Sequence, residues 1–180
     1  IIDYLKNKNP DYLILNFGQV DIDLGFYYKL VVQNRKFNKR KYIKKLIILY
    51  DIFINDILKY ICKSKLIICD INPPSLKTRE SCYKYTKKIV FSKKIKETLE
   101  NNNKLIEKLE DINVRTEFSE CFNTYLKNYC ENNNIKFLNT FYDFIGENKI
   151  LLDKFTDNDN HHLKGLKSES DYFNDTNIIF

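Results

Sequence analysis

Short apolar runs alternate along the chain with longer segments of helical periodicity, and this alternation limits the possible folds more than any other feature. The runs span residues 12–17, 65–71 and 135–138, and turn residues follow the first two. Continuous apolar runs of this length predict strands that are buried on both faces, as in a parallel sheet. Strands separated by helices predict an α/β fold in which helices cover both faces of a mainly parallel sheet, a three-layer α/β/α sandwich.

The segments between the runs carry apolar residues at three- and four-residue steps, as one face of a helix does. The clearest helices are predicted at 42–62 and 117–131, and a weaker, charged helix at 92–110. Residues 75–91 are polar and predict a loop. The remaining expectations are the end of a helix over 1–9, a turn over 18–23 with helix following to about Phe37, a turn at Gly146, and a short helix with a loosely held end over 164–180.

A length of 180 residues fits a single domain. We place this domain at 1–166 and a C-terminal tail at 167–180. Ile, Lys and Asn make up 71 of the 180 residues, while Ala and Met are absent, which indicates an A/T-rich gene. The missing Met leads us to expect that the native start, and with it part of the domain, lies upstream. No signal peptide is visible, although a missing start would also remove one.

Basic residues concentrate at 35–41, with Lys44 and Lys45 just beyond, and the formal net charge of the chain is +6. Such a run can bind phosphates. Only four residues are Arg and no aromatic-rich RNA motif accompanies the run. A solvated helix start is therefore favoured, and no nucleic-acid partner is expected. No apolar run reaches the roughly 18 residues of a membrane-spanning helix, so no membrane partner is expected either.

The five cysteines are odd in number and have no C-x-x-C spacing, which argues against a zinc knuckle or a complete disulfide framework. Cys62 and Cys69 lie in apolar runs and are predicted to be small buried hydrophobic residues. A reducing, intracellular compartment fits this pattern.

The only two histidines, His161 and His162, follow an acidic stretch. A carboxylate three residues before an imidazole can accept from its ring N–H and support the imidazolium, which makes His162 with Asp159 a candidate general base. The residue three positions before His161 is Asn158, which has no negative charge to support an imidazolium. A polar surface loop is the ordinary alternative. A metal site formed by Asp157, Asp159, His161 and His162 is a further one, although catalytic metals usually draw ligands from several elements. We expect no metal and no cofactor.

The turn after the first apolar run is the second candidate site. Gly18 allows backbone to approach a ligand closely. The Gln19 side chain can donate to a developing oxyanion, and Asp21 follows it in the turn. The alternative is an ordinary strand-to-helix turn in which Asp21 or Asp23 caps the helix.

Over roughly residues 5 to 166 the chain resembles the SGNH (GDSL-type) hydrolase family. The matching segments, in the family's order, are a strand ending in a G-x-N-D-like turn at 11–21, a strand ending in a proline pair at 66–74, the entry to the penultimate helix at 115–126, the next strand at 135–138, and a D-x-x-H-L loop at 159–163. Five matches in order with compatible spacing are more specific than any one of them.

The resemblance implies a flavodoxin-like α/β/α sandwich and an ester hydrolase in which a serine attacks the substrate, such as an acyl or acetyl ester of a glycan. Carried over, His162 is the base, Asp159 orients it, and Gly18 lines the oxyanion hole, with Gln19 and Asp21 beside it. Two departures matter. The family's oxyanion asparagine falls on Val20, and the G-D-S serine motif is absent. We expect the nucleophile upstream of Ile1 and expect Ser75, after the proline pair, to be structural.

Two other functions remain open. A non-catalytic relative of the family would bind a carbohydrate or a protein partner in the same cleft. A Rossmann-like nucleotide binder is less favoured, because the chain has neither a G-x-G-x-x-G nor a P-loop motif to hold phosphate.

Overall fold

A parallel sheet forms the centre of this mixed α/β structure, which is a computed structural model. It describes residues 1–31, 33, 36, 38–89, 104–156, 163 and 178–179. The sheet order within these residues is β3-β2-β1-β4, where the strands are β1 (Tyr12–Leu15), β2 (Leu66–Cys69), β3 (Lys136–Leu138) and β4 (Ile178–Ile179). The three predicted strands and their parallel pairing are thus confirmed, with each strand shorter than its apolar run.

All described strand pairs are parallel, so the carboxyl ends of the strands lie along one edge of the sheet. Leu13 of β1 lies opposite Leu66 of β2, and Cys69 of β2 lies opposite Leu138 of β3. The segments that leave this edge begin at Asn16, Asp70 and Asn139. Loops at this edge of an open α/β sheet are where such folds bind ligands.

The strand β4 was not predicted, because we expected a short helix and a loosely held end in the tail. Ile178 lies opposite Tyr12 and Ile179 opposite Leu13. The edge of β1 presents backbone N–H and C=O groups that need partners, and two β-branched residues suit a strand.

The helices are α1 (Ile2–Asn7), α2 (Phe26–Val31), α3 (Lys39–Ile57), α4 (Arg79–Ile89), α5 (Lys104–Lys108) and α6 (Ile112–Asn132). Both long helices begin earlier than their apolar patterns predict, because side-chain caps start them. The Asn38 side chain accepts from the N–H of Lys41 at 2.9 Å, and that of Asp111 accepts from the N–H of Val114 at 3.1 Å. Of the predicted helix at 92–110, residues 92–103 lie outside the described part.

The loop predicted at 75–91 is wrong, since α4 occupies most of it. The Thr78 hydroxyl accepts from the N–H of Ser81 at 3.0 Å and begins the helix. Cys82 and Thr86, four residues apart, are its buried residues. Their stripe is narrow and half polar, so the composition of the segment concealed the helix.

The turn predicted at 18–23 is also shorter than expected. Helical structure begins at Gln19, passes through a π-helical turn at Asp21–Gly25 and continues into α2, which ends at Val31 rather than near Phe37. Phe37 itself lies outside the described residues.

The core includes buried residues of the sheet and of the two long helices, α3 and α6, which pack against each other. All five cysteines are free. Cys69 is buried as predicted, whereas Cys62 is exposed, because it follows the end of α3 instead of lying within it. No helix in the described ranges combines the length and the apolar character needed to cross a membrane.

Candidate functional site

Gly18 stands at the carboxyl end of β1 in a conformation that favours glycine. Its φ is +108°, and it is buried. A Cβ at this position would lie 3.0 Å from the Phe122 ring and 3.0 Å from the Tyr50 hydroxyl. The carbonyl of Gly18 accepts from the N–H of Ile22 at 2.9 Å, so the helix begins directly at the turn. The space beside Gly18 is thus filled by side chains of α3 and α6, and the predicted close approach of a ligand to Gly18 stays a prediction.

The Gln19 side chain follows in the first helical turn. Its amide nitrogen and its amide oxygen are both buried and have no hydrogen-bond partner among the described residues. A buried amide without partners costs free energy, and such a group in a native structure calls for an explanation. A ligand whose oxygen accepts a hydrogen bond from this amide nitrogen would explain why the amide lacks a partner here.

Asp21 is held by two tyrosines of α3. Its carboxylate accepts from the Tyr50 hydroxyl at 3.1 Å, and its backbone carbonyl accepts from the Tyr42 hydroxyl at 3.1 Å. Burial, and next the Asp21 charge, raise the pKa of Tyr50 above its ordinary value, so this phenol remains a donor. Asp21 thus fixes the turn against α3, and its side chain does not cap the helix.

Asp23 is not a helix cap either, because it forms a buried ion pair with Arg115 of α6. The two side chains are 0% and 1% exposed, and Arg115 Nη1 lies 2.9 Å from Asp23 Oδ1. Burial raises the pKa of Asp23, while Arg115 opposes that rise. One atom of each partner, Asp23 Oδ2 and Arg115 Nε, has no hydrogen-bond partner among the described residues.

Arg115 also joins the segment after β2 to α4. It donates to the carbonyls of Leu76 and, at 3.3 Å, Lys77, and it lies 3.0 Å from the Cys82 sulfur. Burial raises the pKa of the Cys82 thiol to about 12, so the thiol is neutral. Four segments therefore meet at one guanidinium: the π-helical turn, the loop after the prolines, α4 and α6.

The carboxyl end of β2 carries a second buried carboxylate, Asp70. It accepts from the N–H of Thr140 at 2.9 Å, the Thr140 hydroxyl at 2.9 Å and the N–H of Phe141 at 2.8 Å. Burial raises its pKa, and these three bonds oppose the rise. The next residue, Ile71, exchanges two hydrogen bonds of 2.9 Å with the Asn123 amide of α6. The loop after β2 is thereby fixed to β3 and to α6.

Ser75 is completely buried behind these contacts. This burial agrees with the expectation that Ser75 is structural, which stays a prediction.

A polar cleft of about 280 Å³ lies between α6 and the segment after β3. Its walls include Thr124, Lys127 and Asn128 of α6 and Asn139 and Tyr142 opposite. The exposed Tyr142 hydroxyl donates to the Glu120 carboxylate at 2.6 Å. Amide, hydroxyl and aromatic groups thus line one small depression near the carboxyl edge.

The predicted catalytic pair, His162 and Asp159, lies outside the described residues, as do Asp157 and His161 of the alternative metal site. Both assignments stay predictions. Within the described ranges, no group of three or more His, Cys, Asp or Glu side chains is arranged to hold a metal ion.

Sequence reasoning missed Arg115, Asp70 and Asn123, although each left a signal. Arg115 is one of only four arginines beside 26 lysines. Asp70 is a charge inside an apolar run, and Asn123 lies between Phe122 and Leu126 on the inward side of α6. Polar residues in such places usually have dedicated hydrogen-bond partners.

Comparison of the chain with models of protein families, with curated proteins and with solved structures gives no match.

Proposed function

We propose that this chain is an SGNH-type ester hydrolase domain built as a three-layer α/β/α sandwich. One observation carries the proposal: the Gly18 turn, at the carboxyl edge of a parallel sheet, is followed by the buried amide of Gln19, which has no partner among the residues that the structure describes. An amide held ready in a desolvated position can stabilise the oxyanion of a tetrahedral intermediate. In this role Gln19 replaces the family's asparagine, whose position Val20 occupies.

The reaction would proceed by serine attack on the ester carbonyl. His162 takes the serine proton, Asp159 supports the imidazolium, and the alcohol leaves with the proton returned by His162. Water then attacks the acyl-enzyme and releases the acid. The described serines at the core, Ser75 and Ser119, are buried, and we assign the role of nucleophile to neither of them.

The cleft beside α6 supports a glycan ester as substrate. An exposed aromatic ring, Tyr142, next to amide and hydroxyl groups provides the apolar face and the few polar partners that a sugar ring requires. The five free cysteines support a reducing, intracellular location for the enzyme.

Hydrolysis of p-nitrophenyl acetate by the product of the complete reading frame tests the assignment. His162→Ala should lower kcat by about 100-fold or more, because a general base contributes at least that much. His161→Ala is the matched control and should retain activity. Equal rates for wild type and His162→Ala would remove His162 from the mechanism.

A second candidate is a non-catalytic domain that binds a carbohydrate. Val20 favours it, because an exposed aliphatic side chain stands where the family supplies an oxyanion donor. Calorimetry with acetylated oligosaccharides separates the two functions. Binding without release of acetate, unchanged in His162→Ala, indicates the second.

A further inference from the structure

The long helix α3 has an outer face that nothing in the described structure covers. Its inner face, which includes Ile43, Ile54 and Ile57, is completely buried. On the opposite side Ile48, Leu49 and Ile52 are 62%, 50% and 57% exposed. Single exposed aliphatic residues are common, but three adjoining ones on one helix indicate a binding surface.

Three lysines adjoin these aliphatic residues on the same side of the helix. Lys41, Lys44 and Lys45 are exposed and form no ion pair or side-chain hydrogen bond with the described residues. Steps of three or four residues link Lys41, Lys45, Ile48 and Ile52, which places them on one stripe. We call the six residues the α3 outer face: Lys41, Lys44, Lys45, Ile48, Leu49 and Ile52.

The other charged groups of α3 already have partners. Lys39 pairs with Glu110, and Arg40 donates to the Tyr125 hydroxyl at 3.1 Å. Asp56 pairs with Lys59 at 2.6 Å, and Asp51 accepts from the Tyr129 hydroxyl at 2.8 Å. The unsatisfied charge of the α3 outer face is therefore positive, next to an apolar patch.

An anionic lipid surface complements both properties at once. A second copy of this face, packed antiparallel, would cover the aliphatic side chains but leave the lysines at the two ends without partners. A nucleic acid would satisfy the lysines but leave the aliphatic side chains without a partner. At a bilayer, lysines meet headgroup phosphates while neighbouring apolar side chains enter the interface.

We propose that the α3 outer face docks on an anionic bilayer surface, with α3 lying in the plane of the interface. Lys41, Lys44 and Lys45 contact the headgroups, and Ile48, Leu49 and Ile52 enter the boundary with the acyl chains. A peripheral membrane partner then replaces the expectation of none.

Co-sedimentation of the full chain with two kinds of vesicle tests the docking. The chain should bind vesicles of phosphatidylcholine mixed with phosphatidylglycerol, should not bind pure phosphatidylcholine, and should dissociate as salt rises. Replacing Lys41, Lys44 and Lys45 by Gln should weaken binding by about 100-fold, since each lysine near the surface contributes about five-fold. Replacing Ile48, Leu49 and Ile52 by Gln should weaken it by about ten-fold or more.

Two matched variants keep the result specific to this face. Lys63, Lys84 and Lys88 are exposed lysines elsewhere, and their replacement by Gln lowers the net charge equally. Leu138→Gln removes an exposed aliphatic side chain from β3. Both should leave binding within about two-fold of wild type, allowing for the weak long-range effect of net charge.

Three results would overturn the docking. One is equal weakening by the Lys63, Lys84 and Lys88 variant. Another is full binding by the variant of the three aliphatic residues. The third is an absence of vesicle binding together with a dimer, seen by analytical ultracentrifugation, that this variant dissociates, which would make the face a self-association surface.

Discussion

The two halves of the carboxyl edge satisfy their buried polar groups in different ways. After β2, Asp70 accepts three hydrogen bonds, and the Asn123 amide both accepts one hydrogen bond and donates another. After β1, Gln19 has no partner in the described structure, and the Asp23–Arg115 pair leaves one atom unbonded on each side. A region whose hydrogen bonds are complete serves to hold the fold. A region with buried donors and acceptors that lack partners in the described structure is where a ligand can gain binding energy, so we propose that the oxyanion site lies after β1.

The largest effect should come from breaking the buried ion pair. Arg115→Met leaves the Asp23 carboxylate buried without its cation, and we expect a loss of about 3–5 kcal/mol in the free energy of unfolding. Urea denaturation followed by circular dichroism measures it. The double variant Arg115→Met/Asp23→Leu should lose less, because no uncompensated charge remains. A double variant as unstable as Arg115→Met would show that packing, and not charge, makes Arg115 necessary.

The loss of stability in Arg115→Met should depend on pH. Without Arg115 the opposition to the raised pKa of Asp23 is lost, so folding favours the protonated carboxyl more strongly. The folded state then holds more protons than the unfolded state, and its free energy of unfolding falls as pH rises through the raised pKa. The destabilisation by Arg115→Met should therefore be smaller at about pH 5 than at about pH 8. If Arg115→Met lost the same stability at both pH values, the assignment of a charged Asp23 carboxylate paired with Arg115 would be wrong.

A smaller loss is expected on the β2 side. Asp70→Ala leaves the N–H groups of Thr140 and Phe141 buried without an acceptor, which should cost about 2–4 kcal/mol. Asp143→Ala, in the same segment but exposed, is the control and should change stability by less than about 0.5 kcal/mol. Hydrogen exchange should show faster exchange at Thr140 and Phe141 in Asp70→Ala alone. Unchanged protection there would mean that Asp70 does not fix the end of β3.

The smallest change in stability should come from Gln19. Gln19→Met keeps the length of the side chain but removes the two amide atoms that lack a partner among the described residues, so stability should stay the same or rise by about 1 kcal/mol. Activity on p-nitrophenyl acetate should nevertheless fall by about 100-fold if the amide serves the oxyanion. A large loss of stability would show that Gln19 has an undetected structural partner and would remove the contrast between the two halves.

The strands β1, β2 and β3 and the Gly18 turn could be predicted because their signals are local. An apolar run followed by glycine or proline is visible in a few residues. The Asp23–Arg115 pair joins residues 92 positions apart, and the Asn123–Ile71 pair spans 52, so no local pattern contains them. The helix α4 was missed for another reason: only Cys82 and Thr86 form its buried stripe, and neither is strongly apolar. The catalytic roles of His162 and Asp159 stay predictions.

Adjacent residues of α6 touch the ends of two different strands. Phe122 lies against Gly18 after β1, and Asn123 bonds Ile71 after β2. An α-helix advances 1.5 Å and turns about 100° per residue, so a displacement of α6 by one position would break both contacts together. The helix thus makes the two halves of the edge mechanically dependent. A movement of the loop after β2 that displaced Asn123 would therefore also displace Phe122 from the wall of the Gly18 turn.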